Sequence, residues 1–465
     1  MNGSRAWLVF ACMLLGMIAC VRDGAPERTP PRVWKTREER FSRAGMLVEA
    51  TSYIDDAAFR RDALVASLAN PDNTYGRARL ASYGLQNAGW DLLPEYNPRS
   101  APLTRDAVAR IRRGEAPGMP DDAAPIWDGK RPTSVEAWIA LGEKVFFGYP
   151  MRAEVFLQWA VTNPEVGEAV GVLSTAAGVY PGSVLFVDDT GQTAVGLTCA
   201  QCHSRVRDGV VHPGEARRDF DYGKLRIAYH AATHEPVDAE LVRRMARWGA
   251  GRADVTEDEN EDPVAIPDLW GLREQTALTQ AGTLRQIGPA VLAIRQETQL
   301  VQTNHERVRP PRVVAFALAM YLYSLAPSPP APSATPQGAP NAEPNAQSVE
   351  QGRYLFAHAC AGCHDNAAFG GEPVLASEVA TDPLLATGRA RGTGRYRPPA
   401  LLNVRDAAPY FHHGAVPSLG DLLGRARFEA AYDGPLGRGA VPGHDYGTRL
   451  PDGERDALIA YLRTL

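Results

Sequence analysis

One five-residue pattern, Cys-x-x-Cys-His, occurs twice in this chain and restricts what the chain can become more than any other feature. It stands at Cys199, Cys202 and His203 in "GLTCAQCHSRV", and again at Cys360, Cys363 and His364 in "HACAGCHDN". The remaining cysteines are Cys12 and Cys20, both inside an apolar N-terminal run. No pair is left over for a structural disulfide, so the motif cysteines serve another purpose.

In this pattern the two thiols can add across the two vinyl groups of a haem. The adjacent histidine then offers an imidazole nitrogen to the iron. The competing readings are a zinc knuckle and a redox dithiol. Zinc calls for further cysteines or clustered histidines nearby, and none are spaced that way. A dithiol has no need of the histidine. Two covalently attached c-type haems are therefore expected, with His203 and His364 as proximal iron ligands.

Anchoring the chain on its two motifs brings out an internal repeat. "IPDLWGLREQTALTQAGTL" (266–284) lies without a gap on "PPALLNVRDAAPYFHHGAV" (398–416), matching Pro267 with Pro399, Leu269 with Leu401, Arg273 with Arg405 and Gly282 with Gly414. Each copy ends in an amphipathic helical pattern, 312–325 and 453–465, with Tyr321 on Tyr461. Between the copies, residues 326–347 are rich in proline, alanine and small polar residues, as in an extended linker. A helix is expected to follow, capped by Ser348 with Gln351 completing a capping box. The fold expected is mainly α, with two cytochrome c-like helical domains (133–325 and 348–465) joined by that linker. An N-terminal extension with helical stretches (21–132) has no evident role.

Each iron has a sixth position to account for, and methionine and histidine are the usual donors. Met320 is the last methionine, so the second domain has none; its histidines besides His364 are His358, His412, His413 and His444. His358 lies too close to its motif to cross the haem easily. Aligning the closing helices puts His305 within one residue of His444, whereas His412 and His413 fall on Gln280 and Ala281. A histidine recurring at one place in both halves is the better candidate, so the pairs expected are His203/His305 and His364/His444. Met245 is the rival donor for the first haem, with helix packing as its alternative role.

The first twenty residues, "MNGSRAWLVFACMLLGMIAC", combine Arg5 with an apolar run too short for a stable span. They read as an export signal. Ala19 before Cys20 resembles a bacterial lipoprotein cleavage box, making Cys20 the lipid anchor and residues 21 to about 35 a tether. Val21 after the cysteine suits sorting to the outer membrane. The expected location is the bacterial periplasm, with membrane attachment through the anchor. The net charge of −5 and the lack of a basic stripe argue against a nucleic-acid partner.

At "RYRPPALLNVRDAAPYFHHGAVPSLGDLL" the sequence resembles the bacterial di-haem cytochrome c peroxidases and the related proteins that mature methylamine dehydrogenase. The shared residues are Pro399, Leu401, Asn403, Val404, Pro409, Tyr410, Phe411, His412 and Gly414; "ALGEKVFFGYP" (140–150) is similar to the opening helix of that family. The resemblance covers 133–465 and implies two all-helical domains facing each other, exchanging electrons between two haems, with His412 at the interface. The departures are informative. Ala407 replaces the threonine that helps place an interdomain calcium, which speaks against that ion. His413 replaces an aspartate. The stretch 275–296 lacks the acid that peroxide cleavage uses, with Glu297 just beyond as a weak substitute. Trp248 and Trp270 are expected in core packing, with an electron relay between the haems, the role of a tryptophan in that family, as the alternative, and "DVTEDENED" (254–262) fits no EF-hand calcium loop.

The expected function is electron transfer with redox partner proteins. The alternative is a peroxidase-type oxidoreductase whose reaction centre is the first haem.

Overall fold

The computed structural model describes residues 36–253, 263–327 and 345–465. The expected export signal, Cys20, the tether, the acidic run 254–262 and most of the linker lie outside the described residues. Helices hold 44% of the residues and strands 13%, so the expected mainly helical character stands. Among the described residues no helix is long and apolar enough to cross a membrane.

Three of the helices in the N-terminal extension are each started by a side chain that accepts an otherwise orphaned N–H. Ser42 caps α1 (Arg43–Asp55), Asp56 caps α2 (Ala57–Ser67) and Asn73 caps α3 (Thr74–Ser82). Strand β1 (Ser100–Thr104) follows, then helix α4 (Val135–Gly148). Next come β2 (Arg152–Ala153), β3 (Val179–Val187) and β4 (Thr193–Leu197). These four make an antiparallel sheet in the order β1-β3-β4-β2. The expectation of an all-helical first half is thereby corrected. "VYPGSVLFV" is β-branched and aromatic enough to favour a strand, and its partner β1 comes from the extension.

Helices α5 (Tyr222–Thr233) and α6 (Ala239–Trp248) form a hairpin. Helix α7 (Pro289–Thr303) precedes α8 (Arg312–Ser324). The second half opens with α9 (Ala346–Ala359) and closes with α10 (Asp452–Leu462). Helix α9 begins before the expected Ser348, because Asn345 is an equally good cap and accepts the Gln347 N–H at 3.0 Å.

The repeat is visible in the backbone. Helix α4 crosses α8 and α9 crosses α10, each through a glycine in the opening helix. A Cβ on Gly142 would lie 2.7 Å from the Ala317 carbonyl carbon and 2.6 Å from Tyr321 Cβ; on Gly352 it would lie 2.7 Å from the Ala457 carbonyl carbon and from Tyr461 Cβ. The aligned segments agree residue by residue. Gly271 and Asn403 are left-handed (φ 68° and 56°), as are Thr279 and Phe411 (69° and 71°) and Gly282 and Gly414 (60° and 67°). Leu272–Glu274 and Val404–Asp406 are both 3-10 turns. Leu278 pairs with Leu284 as Tyr410 pairs with Val416.

These two segments also face each other. The Ala265 N–H donates to His412 O at 2.7 Å, and the Arg397 N–H to Gln280 O at 2.9 Å. Ala281 joins Leu385, Ala386 and Tyr396 in one apolar cluster. Arg37–Leu465 form one compact unit.

The extension is built into this unit. Tyr53 and Tyr83 donate to Glu297 Oε2 at 2.5 and 2.6 Å, with Arg312 Nε 3.4 Å from the other oxygen. Glu49 accepts the Ala290 N–H at the start of α7. Helix α8, expected to bury one face, is buried from Val313 through Tyr323, because α1 and α7 cover the side that α4 leaves open. Residues 70–75 reach the second half, where Thr74 and Tyr75 N–H groups donate to Arg389 and Ala390 carbonyls at 3.0 and 2.9 Å.

Candidate functional site

The first motif sits on a helical turn, Ala200–His203, directly after β4. Strand β3 backs it closely: a Cβ on left-handed Gly182 would fall 2.3 Å or less from Gln201 backbone atoms, and the Thr198 N–H donates to Gly182 O at 2.8 Å. The sheet thus serves as the seat of the motif. The second motif follows from the end of α9, where Cys360 is the C-cap residue. None of the four motif cysteines forms a disulfide.

The two histidines are oriented alike. His203 Nδ1 lies 3.0 Å from Pro267 O, and His364 Nδ1 lies 2.7 Å from Phe369 O, with the Pro399 carbonyl near the ring. Pro267 and Pro399 are equivalent in the repeat. A carbonyl accepts only, so Nδ1 carries the proton in each ring and Nε2 keeps its lone pair. That is the tautomer a metal-ligating histidine needs, held by the kind of outer hydrogen bond that orients such ligands.

Burial sets the charge state around both motifs. It pushes the thiols of Cys199, Cys202 and Cys360 up to about 12, 11 and 11, and raises Cys363 as well. A redox dithiol wants a lowered value, so that reading is disfavoured. Burial also lowers His203 to about 4 and lowers His364, keeping both imidazoles neutral and able to donate to iron.

His444 stands close to His364. Burial lowers it to about 4, and the next largest cause is His364 itself. Its Nδ1 is buried with no hydrogen-bond partner, and its ring lies 6.1 Å from that of Phe411. A buried polar nitrogen left without a partner is costly, and a ligand on the ring would answer for it.

His305 behaves differently, and none of the contacts among the described residues joins it to His203. It shares the left-handed backbone of His444 (φ 55° against 46°), but it is exposed in the turn beyond α7. The charged groups that His203 feels are Arg295 and Asp268.

The other candidates have ordinary partners. Met245 is fully buried where α6 crosses α5 at Gly223. His358 bonds Tyr354 O at 2.7 Å and stacks on its ring. His412 stacks on Tyr396 at 4.3 Å, with Nε2 3.1 Å from the hydroxyl, at the junction of the halves. Trp270 donates to Pro213 O and Trp248 stacks on Tyr222. Glu297 is tied to Tyr53, Tyr83 and Arg312, so it is no free acid for chemistry. The prolines and Arg295 escaped sequence reasoning as site residues, although the matched prolines of the repeat were the available signal.

Residues 349–465 match the family model for cytochrome c. This part of the chain is a cytochrome c domain. A domain of this family implies a covalently attached c-type haem with its iron and a role in carrying electrons. Its match starts inside α9 and runs through His364 and His444 to the last residue. No curated protein matches the chain.

The residues present fit such a group. Each motif offers two protonated thiols on one turn and a neutral imidazole with its Nε2 free, and the cytochrome c domain adds the unpartnered ring of His444.

Proposed function

We propose that this protein is a di-haem c-type cytochrome that carries electrons between two covalently held haems. Cys199 and Cys202 would hold the first and Cys360 and Cys363 the second, with His203 and His364 as proximal ligands. His444 would complete the second iron. When bound, the haem supplies one-electron chemistry by cycling its iron between ferric and ferrous. The chain's own residues orient the ligands, exclude water and keep the imidazoles neutral. The observation that carries this reading is that each motif histidine has its Nδ1 tied to a backbone carbonyl, His203 to Pro267 O and His364 to Phe369 O. Export, anchoring through Cys20 at the outer membrane and exchange with redox partner proteins complete the proposal, on the N-terminal sequence alone.

The test is haem stoichiometry. A pyridine haemochrome assay should give two haems per chain in the wild type and one in Cys199→Ser/Cys202→Ser. One haem in the wild type would overturn the reading.

The position of His305 favours a second reading, a peroxidase-type oxidoreductase with the first haem as reaction centre and Arg295 as the cation beside it. A stable high-spin ferric signal from that haem, with peroxide turnover well above free haem, would support it.

A further inference from the structure

The side chain of Arg427 is wholly buried, with 0% exposure. Its Nε donates to Leu422 O at 3.0 Å, one terminal nitrogen to Val441 O at 2.7 Å, and the other to His444 O at 2.9 Å. The guanidinium lies over the ring of Phe428 at 4.1 Å and faces that of Phe411 at 5.3 Å. The Val441 N–H returns a bond to Arg427 O at 2.6 Å. Among the described residues no carboxylate forms an ion pair with it. A buried charge without a counter-charge is expensive, and carbonyl dipoles and aromatic faces offset only part of the cost.

What those bonds secure is the backbone of one residue. His444 has φ 46°, a left-handed conformation uncommon for a side-chain-bearing residue. Its N–H donates to Val379 O at 2.7 Å and its carbonyl accepts from Arg427, so both peptide groups are gripped from opposite sides. Gly443 before it packs so tightly that a Cβ would meet the backbone of Ala380 and Thr381. The segment between Leu422 and Val441 has only a short 3-10 turn and a two-residue hairpin of its own. Arg427 joins its two ends.

We propose that Arg427 is the positioning residue of the second haem site: it clamps the backbone that aims His444 toward His364, and its buried charge raises the reduction potential there. This rests on the reading of His444 as an iron ligand. The ferric centre carries one positive charge more than the ferrous one, so a nearby buried cation, whose acidic neighbour Asp445 is exposed and pairs with Arg449, disfavours the ferric form. Lysine would keep the charge but lose the planar three-way grip.

The test uses full-length holoprotein with Arg427→Met, Arg427→Lys and His444→Ala, followed by low-temperature EPR, potentiometric titration and imidazole binding. With the clamp removed, imidazole should bind the second haem about tenfold more tightly in both Arg427 variants, the cost of losing charge-assisted hydrogen bonds. The second-haem potential should fall in Arg427→Met and stay near wild type in Arg427→Lys. If imidazole affinity and potential are unchanged in both and only the melting temperature drops, the proposal is overturned and Arg427 is structural. If Arg427→Met does not fold, Arg427→Lys decides: unchanged imidazole affinity overturns the clamp. If His444→Ala keeps the low-spin signal of the second haem, the ligand reading itself fails, independently of how Arg427 behaves.

Discussion

Gly142 on α4 packs directly against the backbone of Ala317 on α8, and Gly352 on α9 meets Ala457 on α10 in the same way. A methyl group at either glycine would collide with a carbonyl carbon at 2.7 Å, and neither helix can shift without disturbing its core. Gly142→Ala and Gly352→Ala should each destabilise the protein by about 1–3 kcal/mol, despite the better helix propensity of alanine. Thermal melts followed by far-UV circular dichroism measure this; unchanged melting would mean the crossings are looser than described.

The contrast between His444 and His305 gives a spectroscopic expectation. His444→Ala should remove one low-spin ferric signal and create a high-spin one. His305→Ala should leave the EPR spectrum unchanged, since His305 is exposed beyond the end of α7. Loss of a low-spin signal in His305→Ala would reinstate that histidine as a ligand.

The histidines at the junction of the two halves make stability depend on pH. Burial depresses His413 to about 4, with Arg252 adding to the effect and Asp382 opposing it; burial and His413 hold His412 well below its usual value. In the unfolded chain both would titrate near 6.5. The unfolded state therefore takes up protons first as the pH falls. Their contribution is fully present above pH 6.5 and drains away toward pH 4, by up to about 3 kcal/mol for His413. Urea denaturation at pH 7.5 and 5 should show the drop, and His413→Asn should reduce it.

Glu297 receives hydrogen bonds from Tyr53 and Tyr83, two phenols brought from the N-terminal extension. Tyr53→Phe and Tyr83→Phe should each cost about 1–2 kcal/mol. Glu297→Ala should cost roughly 3 kcal/mol, because it strips both phenols and Arg312 of a partner at once. The double tyrosine variant should deviate from additivity, as groups sharing one acceptor do. Chemical denaturation curves decide the matter.

Much of this architecture could be read from the chain because it is locally encoded. The 3-10 turns at 272–274 and 404–406 and the left-handed residues around them follow from short segments, so an ungapped alignment carried their geometry. The closing helices appeared for the same reason. The sheet did not, since β3 finds its partner β1 across the whole of α4, and the unbroken apolar run at the end of "VYPGSVLFV" does not name that partner. His305 matches His444 in place along the chain and in backbone but is more exposed. A long helix precedes it, where an irregular loop precedes His444. The extension looked idle because Tyr53, Tyr83 and Glu49 carry no motif; their meaning lies in α7, more than two hundred residues away.

Asn70 and Asn73 donate to Gly392 O across separations of 322 and 319 residues. On a ribosome the N-terminal segment emerges long before its acceptor exists. Its seam at Asn70 and Asn73 can close only after Gly392 has been made, long after α7 is available to the helices around it. Contacts of such long range slow folding and leave apolar surface open meanwhile. The chain is therefore one that finishes by joining its beginning to its end, not one that completes each half in turn.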